Sequence, residues 1–323
     1  SVCKVMTLTL CFDAIAQGKL SLTDNITVSD RAAGMGGSQV FLQSGLTYPL
    51  TELIKSIIVC SANDSCVAVS ESVCGSEESF VAAMNKRAEE LGCDNTLFAN
   101  CTGLPKEPQY SCAKDVAVMF TNLIHNEEYY KYSKIWLEDF NHPDNRTTTI
   151  TNTNKLIKKY SSCDGGKTGF TNQAGFCLAS TAKRENMRLV SVVLGTDNSD
   201  NRFKSAINMF NYGFANYKNA VVLDKDANLN DKFAVDGSKK TSICAHPARS
   251  SYVFTANNTT PEIERNVIAY DIKAPVQKGD TVGKVEVYKD GILYDTVDLV
   301  ASENAERATY GDFFKKVARE WTL

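Results

Sequence analysis

DGGKTGFTNQAGFCLASTAKRENMRLVSVVLG, residues 164–195, decides how this chain is read. Two runs of apolar and β-branched residues, GFCLASTA and MRLVSVVLG, flank a polar AKREN turn, which is the pattern of a β-hairpin. Lys167–Thr168–Gly169 stands just before these strands. Residues 200–217, DNRFKSAINMFNYGFANY, return to helical spacing, while TTTITNTNKLI, starting at Thr147, is strand-like.

Upstream of Thr147 the chain is mainly helical. Residues 1–18 place Val2, Val5, Met6, Leu8, Leu10, Phe12 and Ile15 on apolar faces, and Gly18 ends the run. Thr51 is expected to cap TELIKSIIVCS, which SAND (61–64) interrupts before SCVAVSESVCGS resumes. EESFVAAMNKRAEELG and SCAKDVAVMFTNLIHN are two more amphipathic helices. Residues 1–217 therefore read as an α+β domain. From residue 218 the character is all β. KVEVYKDGILYDTVDLVA carries Asp290–Gly291 between two strand-like runs, the strongest short hairpin signal in the chain. The expected domains are 1–217, 218–310 and an amphipathic tail, 311–323, with Phe313, Val317 and Trp321 at helical spacing beside Lys315, Lys316 and Arg319.

The chain has 323 residues, 43% apolar and 23% charged, a balance suited to packed cores. A net charge of −3 offers no basic field for nucleic acid, and no apolar run of about 18 residues spans a membrane. Three isolated histidines and no Cys–x–x–Cys pair give no zinc pattern. The eleven cysteines sit mostly in apolar surroundings and read as small buried hydrophobes, with one Cys93–Cys101 disulfide open as an option.

Ser–x–x–Lys occurs three times, and context separates the copies. Ser111 reads as a helix N-cap, and Ser180 as the end of a strand at a hairpin. Only Ser1 and Lys4 lie one turn apart on a mostly apolar helix. Burial there disfavours the charged amine, and a neutral amine beside a hydroxyl is a base able to activate it. Ser61–Ala62–Asn63 and Lys167–Thr168–Gly169 follow in order. Ser199–Asp200–Asn201 and Ser302–Glu303–Asn304 repeat the middle pattern in contexts that read as caps or loops.

The ordered triple is a known set of serine acyl-transfer sites. Ser1 attacks a carbonyl and Lys4 accepts its proton. Ser61 relays a proton to the leaving nitrogen, and Asn63 holds the substrate amide. Lys167 supplies a fixed cation for a carboxylate, Thr168 adds a hydroxyl to it, and Gly169 leaves room for the substrate backbone. The backbone N–H groups of Ser1 and Phe170 are the expected oxyanion donors.

With these residues the chain resembles the low-molecular-mass penicillin-binding proteins, the serine D-alanyl-D-alanine carboxypeptidases. MGGSQVFLQSGLTYPLTELIKSIIVCSANDSCVAVSE, TGLPKEPQYSCAKDVAVM, the hairpin segment above, RFKSAINMFNYGFANY and APVQKGDTVGKVEVYKDG are each similar to a family segment. The resemblance implies a β-lactamase/transpeptidase-like fold, an antiparallel sheet with helices on both sides, followed by a small β sandwich. It implies removal of the terminal D-alanine from peptidoglycan stem peptides through an acyl-enzyme, covalent inhibition by β-lactams and no cofactor. It also implies action on the outer face of the bacterial cytoplasmic membrane, with the tail as a peripheral anchor.

Family members carry strands before the nucleophile that the chain as read does not contain. Phe170 stands where some members have histidine, and Cys3 reads as packing. The rival readings are a class A-like β-lactamase, an N-terminal-nucleophile hydrolase with the α-amine of Ser1 as base, and a catalytically silent peptidoglycan-binding protein. For the lactamase, Glu138–Asp139–Phe140–Asn141 is a poor match to Glu–x–x–Leu–Asn.

Overall fold

A computed structural model describes residues 1–229, 231–312 and 314. The chain divides into two compact units, Ser1–Phe214 and a second beginning at Ala215.

In the first unit the hairpin read from sequence is present. Gly175–Arg184 pairs antiparallel with Met187–Thr196 around Glu185 and Asn186, and Glu185 takes φ +51°. A third strand, Cys163–Thr171, pairs with Gly175–Arg184 on the other side. Lys167–Thr168–Gly169, expected just before a strand, thus lies inside one, its pairing hidden by the two glycines that precede it. Alternation along the strands sorts the side chains onto two faces. Leu178, Ala182 and Val193 meet Phe203, Ala206 and Phe210 of the helix Ser199–Asn216. Ala179, with Val190 and Val192, faces the larger core, which the helices Lys4–Ala16, Leu50–Val59, Asn63–Cys74, Glu77–Glu90 and Ala113–Ile124 build. The antiparallel sheet with helices on both sides is therefore as expected.

Several local expectations shift. Pro49, not Thr51, is the cap residue of Leu50–Val59. Cys112, not Ser111, holds the N-cap position of Ala113–Ile124, and Ser111 Oγ instead bonds Thr96 Oγ1 at 2.8 Å. Ser180 is buried in mid-strand, not at a strand end. All eleven cysteines are free thiols, Cys93 and Cys101 included.

The second unit is all β through its sheets. Ala245–Pro247, Ile292–Ala301, Thr281–Lys289 and Ile263–Ala269 form an antiparallel sheet in that order. Tyr217–Leu223 pairs with Ser251–Ala256. Val222, Val253, Val285, Val287, Val297 and Leu299 fill one core between the layers. Asp290 and Gly291 turn its hairpin with φ +51° and +76°, the left-handed pair that a two-residue turn needs. The apolar stripe read in the tail, Phe313, Val317 and Trp321, lies outside the described residues.

Candidate active site

The first turn of the Lys4–Ala16 helix brings Lys4 under Ser1. Lys4 is fully buried, its Nζ 3.1 Å from Ser1 Oγ. The same nitrogen donates to Asn63 Oδ1 and to the Thr102 carbonyl, both at 2.7 Å. In the neutral form the two N–H bonds point at those acceptors and the remaining lone pair faces the Ser1 hydroxyl. Burial holds the Lys4 amine below the ordinary lysine range. The surrounding thiols do not oppose this, because burial pushes Cys60 up to about 12 and Cys66 up to about 11, so both stay uncharged.

Ser61 arrives through a two-helix break. Leu50–Val59 ends, Ser61 takes φ +66°, and a new helix starts at Asn63. A non-glycine residue held in that region stores about 1–3 kcal/mol of strain. The turn aims Ser61 Oγ at the sheet, where it accepts from Lys167 Nζ at 2.8 Å. Lys167 also donates to the Thr168 carbonyl at 3.1 Å. Burial first, then the neighbouring Lys4 charge, lower Lys167 to about 7. The cation expected from sequence to be fixed is thus one whose proton is held less tightly. A carboxylate beside it would restore the charge.

Asn63 is more committed than expected. Its Oδ1 is on Lys4 and its Nδ2 donates to the Gly36 carbonyl at 2.7 Å, leaving one amide hydrogen for a ligand. Next to it, the buried Asp64 carboxylate accepts from the backbone N–H groups of Val40 and Leu42, each at 3.1 Å. It pins the loop that carries Gly36 and so fixes Asn63 from behind. Thr168 is buried beside Lys167 on the same strand. Gly169 lies against the first residues: a Cβ there would stand 3.2 Å from Val2 N.

Three participants were missed by sequence reading. Thr102 supplies a carbonyl to Lys4. Gly103, at φ +77°, approaches so closely that a Cβ would lie 2.6 Å from Ser1 N. The available signal was Asn100, whose Oδ1 accepts from Thr102 N and Gly103 N in a side-chain-closed turn. Arg202 donates from Nη1 to the Gly169 carbonyl at 3.1 Å, bracing the strand from its far side. A single arginine early in a helix carries no such signal.

A cleft of about 440 Å³ opens beside Ser1, bounded by Gly103, Gly169, Phe170 and Thr171. A serine beside a buried amine, a second buried lysine on the neighbouring strand and a cleft opening at the serine form an acyl-transfer arrangement. Residues 1–198 match the D-alanyl-D-alanine carboxypeptidase family, and residues 217–307 match the C-terminal domain of penicillin-binding protein 5. The chain belongs to the D-alanyl-D-alanine carboxypeptidase family.

This carboxypeptidase is 33% identical to D-alanyl-D-alanine carboxypeptidase DacF of Bacillus subtilis, over 100% of this chain and 83% of the relative. It is 31% identical to DacC of Escherichia coli, over 98% and 80%. Penicillin-binding protein 5 of Haemophilus influenzae superposes with a TM-score of 0.68 at 29% identity, covering 95% of this chain and 90% of that one. The carboxypeptidase is a serine peptidase with the family's fold in its first unit and the family's β domain in its second.

Proposed function

We propose that the substrate is a peptidoglycan stem peptide ending in D-alanyl-D-alanine, and that Ser1 carries its acyl part. The terminal carboxylate binds at Lys167, with the Ser61 and Thr168 hydroxyls beside it. Ser1 Oγ attacks the carbonyl of the scissile amide as its proton passes to Lys4 Nζ. The oxyanion is met by the backbone N–H groups of Ser1 and Phe170, an element worth about 3 kcal/mol of barrier per donor. Collapse breaks the C–N bond, and the departing amine takes the proton that Lys4 gained, by way of Ser61. Water then attacks the Ser1 ester, giving up its proton to Lys4, and the Oγ–acyl bond breaks as Lys4 returns that proton to Ser1 Oγ, freeing the shortened peptide. A β-lactam presents the same carbonyl and carboxylate and stops at the acyl-enzyme.

The observation that carries this reading is the buried Lys4 Nζ, 3.1 Å from Ser1 Oγ and oriented by two shorter bonds. The β-lactamase alternative has no support at Glu138, which pairs with Lys55 Nζ at 2.6 Å on the strand Leu137–Asn141. The substrate's chemistry puts the reaction outside the cytoplasmic membrane. No helix among the described residues is long and apolar enough to cross a membrane. Peripheral contact through residues 311–323 rests on their sequence pattern. Mass spectrometry after penicillin treatment tests the whole. One adduct is expected on Ser1, absent in Ser1→Ala and nearly absent in Lys4→Ala, persisting for minutes. An adduct on another residue, or turnover within a second, overturns the reading.

A further inference from the structure

Asn63 owes its place to a loop, and that loop is held by a group whose charge can change. Asn63 Nδ2 donates to the Gly36 carbonyl and its backbone N–H to the Ser38 carbonyl, both at 2.7 Å. In the same loop Phe41 takes φ +62°, a conformation that a non-glycine residue keeps only when its surroundings hold it there. The Asp64 carboxylate accepts from the N–H groups on either side of Phe41, those of Val40 and Leu42. The carbonyls are held by the hairpin of Leu137–Asn141 and Thr147–Thr151. Arg146 Nη2 donates to the Phe41 carbonyl at 3.1 Å, and Thr148 Oγ1 donates its single proton to the Val40 carbonyl at 3.3 Å.

His142, buried in the turn of that hairpin, joins these two contacts. Its Nδ1 lies 3.3 Å from the same Arg146 Nη2 and 3.1 Å from the Tyr48 hydroxyl, and its Nε2 lies 2.9 Å from Thr148 Oγ1. A guanidinium only donates, so Nδ1 must accept. Thr148 has spent its proton on Val40, so it accepts from Nε2–H. Every contact thus fits one species, the neutral ring with its proton on Nε2. A second proton, on Nδ1, would face the guanidinium that holds Phe41. Three other ionisable groups bear on the ring. Asp144 pairs with Arg146 Nε at 2.7 Å, Tyr48 is raised by burial and stays uncharged, and Asp64 acts on Tyr48 from the helix Asn63–Cys74. Burial, then the Arg146 charge, hold His142 below the ordinary histidine range, and Asp144 opposes them. We propose that His142 is a positioning residue for acylation: while neutral it lets Arg146 hold the Phe41 carbonyl, and its protonation frees the loop and, with it, Asn63 and the bond from Lys4. This rests on the acyl-transfer reading above.

Penicillin acylation of Ser1, timed by rapid quench between about pH 8 and about pH 4.5, tests it, with each protein scaled to its own rate at the upper end. Titration of Lys4 and Lys167 is common to wild type and variants, so it cancels in the ratio of wild type to His142→Gln. That ratio is expected to fall about tenfold at the acid end, the scale of one charge-assisted hydrogen bond. Arg146→Met has no guanidinium for a charged ring to repel, and its scaled profile should follow that of His142→Gln. The chain has three histidines, so ring-proton NMR can follow His142 alone, its signal being the one absent from His142→Gln. Its midpoint should lie below 6.5 and coincide with the midpoint of the rate ratio. A merely structural role would lower the rate by the same factor at every pH. A flat ratio, or a ring that titrates above 6.5, overturns the proposal. Should His142→Gln fail to fold, the wild-type profile against Arg146→Met decides in its place. Labelling with a flat ratio sinks the positioning role alone, and a wild type that takes no label at any pH sinks the acyl-transfer reading and this role with it.

Discussion

Lys167 is a cation placed where burial works against it, and that gives it a measurable signature. Burial lowers its group to about 7, and the carboxylate it is proposed to hold requires the protonated form. The Kd of a peptide with a free terminal carboxylate should therefore rise with pH, by up to about tenfold per unit above about 7. A flat profile matching that of the amidated peptide would remove Lys167 from carboxylate binding. Lys4 works in the opposite sense, since only its neutral form accepts the Ser1 proton. Lys4→Ala should slow penicillin acylation by about 10²–10⁴-fold, as expected for loss of a general base, and rapid-quench kinetics would read it. The Ser1–Lys4 spacing was legible in sequence because a helix puts positions three apart on one face. The lysine's other two acceptors, Asn63 and Thr102, were assigned otherwise or missed, because they come from distant chain segments.

Among elements, the break between Leu50–Val59 and Asn63–Cys74 does the positioning. Asp64 holds it from behind through the loop at Val40 and Leu42. Asp64→Ala would leave these buried N–H groups without acceptors and should destabilise the protein by about 3 kcal/mol in urea unfolding, whereas Asp64→Asn, which keeps one acceptor, should be milder. Gly103→Ala places a methyl against the Ser1 backbone at a φ that disfavours a side chain. A displaced nucleophile should lower the acylation rate by about 10²-fold while Gly92, at a remote helix end, tolerates alanine for acylation. The two hairpins were readable at this scale because turn residues and alternation are local. The cap at Thr51 was not, because a preceding proline already sets the entry angle of the chain.

At the scale of the molecule, buried lysines and buried thiols bend stability in opposite directions with pH. Lys167 binds its proton less tightly folded than unfolded, about 7 against 10.5. Between these values the unfolded chain holds more protons, so stability rises with pH, and Lys4 acts in the same sense. Cys60 and Cys66 are raised from 9.0, so above that value the unfolded chain loses protons first and stability falls. The Tm should climb from about pH 7 to about pH 9 and level off above it, where the thiols offset the lysines, and calorimetry that found a steady fall across this window would contradict the buried lysines. Thiol titration in denaturant without reductant should return all eleven cysteines. Sequence alone determined the order of helices and strands, the one-turn spacing of Ser1 and Lys4 and the positions of the two later motifs, since each depends on residue types a few positions apart. Tertiary structure decided which groups Lys4 and Lys167 touch, that Lys167 titrates near neutrality, and on which side of Ser1 the cleft opens. Those outcomes come from segments far apart in the chain, 106 positions for Ser61 and Lys167, packing into one water-poor volume where burial resets each group.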